Sequence, residues 1–154
     1  MNNQLTKRPQ SYRPITITEG LKTSARCRPD KLALTEEKRK LTHIKLIERI
    51  NRVSNLGIGL GLKLGDHVAL MCPNCIEFIE ITCGLSEIGV APAMINAKST
   101  PSETTYICND SKAKVLFVHQ DYKDIALSCK FETIEKIIIS PGIDINKCKI
   151  KNYL

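Results

Sequence analysis

The sequence predicts an α/β fold, part of a doubly wound parallel sheet flanked by helices. Three observations predict it. Over residues 62–118 short apolar runs alternate with helix-period segments, the pattern of parallel strands joined by helical crossovers. The runs at 67–72, 90–95, 115–118 and 137–139 are apolar almost without a break, as strands covered on both faces are. Turn chemistry stands at each junction: Pro73-Asn74, Gly89, and the series Thr100-Pro101-Ser102-Glu103.

The elements follow in order. Residues 1–14 are polar, hold two prolines and show no period. They read as a loose arm, so residues 1–17 are set apart from a domain expected over 18–154. Thr18 stands as the N-cap of a short helix through Ala25, which Pro29 closes. Residues 32–35 form a short strand, and Glu36-Glu37-Lys38-Arg39-Lys40 a charged turn. Thr42 opens a second helix. Ile44, Leu46, Ile47, Ile50 and Val53 mark its apolar face, with Glu48, Arg49 and Arg52 opposite. Gly57, Gly59 and Gly61 weaken its end. Beyond the strand at 67–72, Ile76, Phe78, Ile79, Ile81 and Leu85 repeat at helical spacing, and Gly89 ends that helix. Thr100, Pro101 and Glu103 make a capping box with proline at the first helical position, opening a helix to about Asn109. Asp121 opens a further short helix. The last strand stops at Pro141-Gly142.

The 154 residues suffice for one domain with a real core. Composition is globular, with 42% hydrophobic and 25% charged residues. Aromatic residues are only 5% and Trp is absent, so Ile, Leu and Val must build the core. The formal charge of +7 raises nucleic acid as a partner. The basic runs Lys38-Arg39-Lys40, Lys112 with Lys114, and Lys147, Lys149 and Lys151 lie in different elements without interleaved aromatics; they read as solvated lysines, not a nucleic-acid surface. Seven cysteines, an odd number, and a start without an apolar stretch argue for reduced thiols in a cytoplasmic setting, and allow peripheral membrane association. Glu77, Glu80 and Glu87 interrupt the most apolar region, so no transmembrane segment is expected.

Several motifs carry less chemistry than their spelling suggests. Gly57-Ile58-Gly59-Leu60-Gly61 lacks the third glycine of a dinucleotide loop and ends a helix where that loop would begin one. Cys72-Pro73-Asn74-Cys75 sits between a strand and a helix start, the placement that lowers a thiol pKa in redox proteins. A thiol redox protein using Cys72 and Cys75 is therefore one alternative. Zinc would need a second close ligand pair, which the sequence lacks. His43, His67 and His119 are isolated, and Glu77 with Glu80 reads as a solvated pair on one helix face. Neither a G-x-S-x-G elbow nor a P-loop is spelled.

Residues 60–70 (LGLKLGDHVAL), 73–78 (PNCIEF), 84–90 (GLSEIGV), Ile95-Asn96 and 100–117 (TPSETTYICNDSKAKVLF), with the upstream helix at 40–53, resemble the N-terminal part of the adenylate-forming, AMP-binding superfamily. Acyl-CoA synthetases belong to it. The resemblance covers about Thr18 to Ser140. Met94 stands where the commonest family form has proline, a variant that resembles the fatty-acid transport and very-long-chain branch.

The resemblance implies the first subdomain of an acyl-CoA synthetase-like N-terminal domain. A full-length member is an ATP-dependent ligase. It joins a carboxylate to AMP with loss of pyrophosphate, then passes the acyl group to the CoA thiol, using ATP, Mg²⁺ and CoA. Its phosphate loop and lid lysine are not spelled in these residues. No catalytic, cofactor-binding or metal residue is therefore carried over. The chain is expected to be an inactive, truncated fragment, marginal in stability or self-associating. The alternative is an interaction module that pairs with a full-length relative.

Overall fold

The computed structural model describes residues 16–140. The expected arm at 1–17 falls almost wholly outside them, as does the stop at Pro141-Gly142. In chain order the elements are α1 (Glu19–Cys27), β1 (Leu32–Glu36), β2 (Arg39–Thr42), α2 (His43–Gly59), β3 (His67–Met71), α3 (Ile76–Glu87), β4 (Ala91–Ile95), α4 (Pro101–Asp110), β5 (Val115–His119), a 3-10 turn (Gln120–Tyr122), α5 (Lys123–Ser128) and β6 (Lys136–Ser140).

β3 to β6 form one parallel sheet in the order β4-β3-β5-β6. The two central strands behave as the apolar runs require, because their residues alternate between two cores. Val68, Leu70, Val115 and Phe117 join a core with Val53, Ile81 and Leu85 from α2 and α3. Ala69, Met71, Leu116 and Val118 join another with Cys108 of α4 and Ala126 of α5. Helices thus cover both faces of β3 and β5. The outer strands differ from expectation. β4 and β6 are only partly covered, with Met94 and Ile139 exposed, since each is bonded on one side alone among the described residues.

A third core lies outside α2 and α3. There Leu46, Ile50 and Cys83 meet Leu21 of α1, Leu34 of β1 and Leu41 of β2. The hairpin corrects the reading of 36–40 as a charged turn. Arg39 and Lys40 pair with Glu36 and Thr35 across an antiparallel ladder. The turn contracts to Glu37-Lys38, and Glu37 takes the left-handed conformation at φ 48°. Charged side chains suit this strand because they stand out from it, and Arg39 has a partner on α3.

On α2 the buried positions are Leu46, Ile50, Val53 and Gly57. The apolar stripe is rotated from the predicted one, and Ile44 is exposed. The helix ends at Gly59, within the expected glycine series, and Gly57 lies buried in its last turn. Thr18 precedes α1 as expected, but it is helical in backbone and makes no side-chain cap. The capping box of α4 forms as spelled: Glu103 N–H donates to Thr100 Oγ1 at 3.3 Å, and Thr100 N–H to Glu103 Oε2 at 2.7 Å. Gly89 follows α3 at φ +72°, a conformation that favours glycine.

Candidate functional site

A doubly wound sheet holds ligands outside the carboxyl ends of its strands, at the point where the connections diverge. That point is β3. The chain leaves it for β4 on one side and returns to β5 on the other. The loops to consider are residues 72–75 after β3 and the 3-10 turn after β5.

After β3 the chain turns at Pro73-Asn74, and Cys75 precedes α3 in extended conformation. A helix start here is a natural anion site, because its unpaired N–H groups carry partial positive charge. In this chain a carboxylate already takes one of those groups: Ile76 N–H donates to Glu36 Oε2 at 2.8 Å. Glu36 reaches it from β1, with Arg39 at 3.4 Å beside it. A pocket of about 290 Å³ opens alongside, lined by Leu34, Glu36, Asn74, Cys75, Ile76 and Phe78 among others.

Cys72 and Cys75 are free thiols with their sulfurs 3.3 Å apart. Burial pushes the Cys72 thiol far above its ordinary value, with Cys75, Glu77 and Glu36 adding to the rise. Burial also raises Cys75, against the smaller opposing pull of its bond to Cys72. A redox thiolate needs a shift the other way.

After β5, His119 Nδ1 accepts from Asp121 N–H at 3.3 Å and lies 3.2 Å from Asp121 Oδ2. His119, isolated in the sequence, thus has a carboxylate within reach. The pairing is local to the turn. Gly57, Gly59 and Gly61 belong to the end of α2 and the turn after it, so they do not cradle a ligand at a strand end. Among the described residues no group of three or more His, Cys, Asp or Glu side chains could hold a metal ion.

Glu77 and Glu80 are not solvated. Their face of α3 turns toward α2 and the hairpin, and both are buried. Arg39 grips Glu77 through both terminal nitrogens, Nη1 at 3.2 Å from Oε2. Arg49, placed on the solvent face by periodicity, grips Glu80 through Nε and through Nη2 at 2.9 Å. It also lies 3.9 Å from Glu77. Burial opposes ionisation of Glu77, but the Arg39 guanidinium and a backbone bond outweigh it and hold the carboxyl below its ordinary value. For Glu80 burial wins and the carboxyl stands above its ordinary value, despite Arg49. No local signal could have found these pairs, because the partners are 31 and 38 residues apart.

The fold thus defines a doubly wound α/β scaffold in which paired charges serve the joints between elements. It is one member of a large enzyme family: the chain belongs to the AMP-binding enzymes, whose family model matches residues 21–149. It is 37% identical over 87 residues to a crotonobetaine/carnitine–CoA ligase of Proteus mirabilis. With the ligase of that name from Salmonella paratyphi B it shares 39% over 92 residues. Each match takes in 56% of this chain but only 17% or 18% of the relative. Among solved structures, an anthranilate CoA ligase bound to anthranoyl-AMP superposes with TM-score 0.80 at 27% identity, over 86% of this chain and 26% of that one. A fatty acyl CoA synthetase of Mycobacterium tuberculosis shares the fold, with TM-score 0.82 at 22% identity, over 90% of this chain and 29% of that one. The chain therefore spans less than a third of the length of each of these proteins.

Proposed function

We propose that this chain is the first scaffold subdomain of an ATP-dependent acyl-CoA ligase. The whole enzyme activates a carboxylate as its adenylate, releases pyrophosphate and transfers the acyl group to CoA. ATP, Mg²⁺ and CoA engage residues of the whole ligase outside these 154, so these residues alone do not turn over. The observation that carries the reading is the 37% identity to a CoA ligase over 87 residues, within a family match over 21–149. The Glu36 carboxylate on the α3 N-terminus supports the second part, since a phosphate at that helix start would meet a negative charge. The relatives' names cover quite different acids, so the substrate is proposed only as a carboxylate.

Carboxylate-dependent exchange of pyrophosphate into ATP tests both parts. The 154-residue polypeptide should show none. A chimera carrying residues 18–140 in the matching place of the Proteus mirabilis ligase should fold and regain exchange and CoA thioester formation. Exchange by the polypeptide alone would overturn the proposed inertness, and a folded but inactive chimera the proposed function.

A further inference from the structure

The cysteines of this chain divide sharply by surroundings. Cys83 is buried in the outer core and Cys108 beneath α4. Cys129 Sγ lies against the carbonyl oxygens of Ile125 at 3.2 Å and Pro101 at 3.3 Å. Cys27 is exposed. Cys72 and Cys75 alone among the described residues have their sulfurs in contact, at 3.3 Å, about 1 Å beyond a bonded pair. Their access is unequal. Cys72 is buried at the end of β3, whereas Cys75 is partly exposed and lines the 290 Å³ pocket. One sulfur can therefore be reached from solvent, and the second waits behind it.

We propose that Cys72 and Cys75 are a modification site, a dithiol that a low-molecular-weight disulfide of the glutathione type closes into an intramolecular bond. Cys75 loses its proton and its sulfur attacks one sulfur of the small disulfide, breaking that bond and expelling one small thiolate. Cys72 then loses its proton and attacks Cys75 Sγ, expelling the second. The two protein thiols give up two electrons and two protons, and one small disulfide becomes two small thiols. The high thiol pKa values set by burial slow both steps without blocking the order. The product ties the end of β3 to the start of α3 and draws Cys75 away from the pocket. This role is separate from acyl activation and stands whether or not that reading holds.

The test is incubation of the whole chain with oxidised glutathione, then alkylation and peptide mass spectrometry. Under native conditions the Cys72–Cys75 bond should form ahead of every other pairing. Cys72→Ser should trap a glutathione adduct on Cys75, and Cys75→Ser should leave Cys72 unmodified while Cys27 reacts. A lasting adduct on Cys75 in the unaltered chain would overturn the proposal. So would a native pairing pattern that favours any other pair of cysteines.

Discussion

Glu80 has 0% of its surface exposed, yet it carries a carboxylate. A buried ion pair contributes little net stability, but removing one partner is costly because the other charge stays behind. Arg49→Met should therefore destabilise the chain by about 3 kcal/mol near neutral pH, read by urea unfolding. The pH dependence follows from the direction of the Glu80 shift. Its folded-state pKa is raised by burial, so the folded chain holds that proton longer and the carboxyl favours folding more as pH falls. Arg49 is the main group that pulls this pKa down, with a smaller pull from Arg39. Without it Glu80 protonates more readily, so the cost of Arg49→Met should shrink toward about pH 5. An equal cost at both pH values would show that Arg49 acts by packing, not charge. Glu77 works in the opposite sense. Its folded pKa is lowered, and its contribution is lost as pH falls through that value.

Between elements, α2 packs closely against α3. A Cβ added at Gly84 would lie 2.6 Å from Val53 Cβ and 2.8 Å from the Ile50 carbonyl oxygen. Gly84→Ala should cost at least the 1–3 kcal/mol that is roughly usual for overpacking, seen as a lower thermal midpoint. Val53→Ala should not rescue it, because the Ile50 backbone does not retreat when a side chain is trimmed. The sequence showed the helices but not this contact, since nothing in Cys83-Gly84-Leu85 names the neighbour. What was legible had a local cause. The capping box at Thr100 needs only its own four residues, and β3 and β5 declare themselves by burial on both faces. What was missed depended on distant partners. Arg39-Lys40 looked like a turn because the residues that make it a strand and an ion pair are Thr35, Glu36 and Glu77.

The sheet's outer strands shape the behaviour of the whole molecule. β4 carries Pro92, which offers no N–H to a further strand. β6 reads Lys136 to Ser140 without such a block, pairs only with β5 among the described residues, and exposes Ile139. An unguarded strand edge recruits further strands. The 154-residue chain should therefore self-associate with rising concentration, and Ile139→Lys should suppress this in sedimentation velocity. A monomer at all concentrations would overturn the prediction, and association untouched by Ile139→Lys would place the contact elsewhere.

The order β4-β3-β5-β6 also bears on how the chain comes into being on the ribosome. β4 pairs with β3, β5 with β3, and β6 with β5. Each strand of the sheet thus joins one synthesised before it, and none has to wait for a later neighbour. Emerging amino end first, the polypeptide can lay down its sheet by accretion, with His67–Met71 as the seed. Delay or damage at that one segment would leave β4 and β5 without their shared neighbour, and β6 with β5 alone.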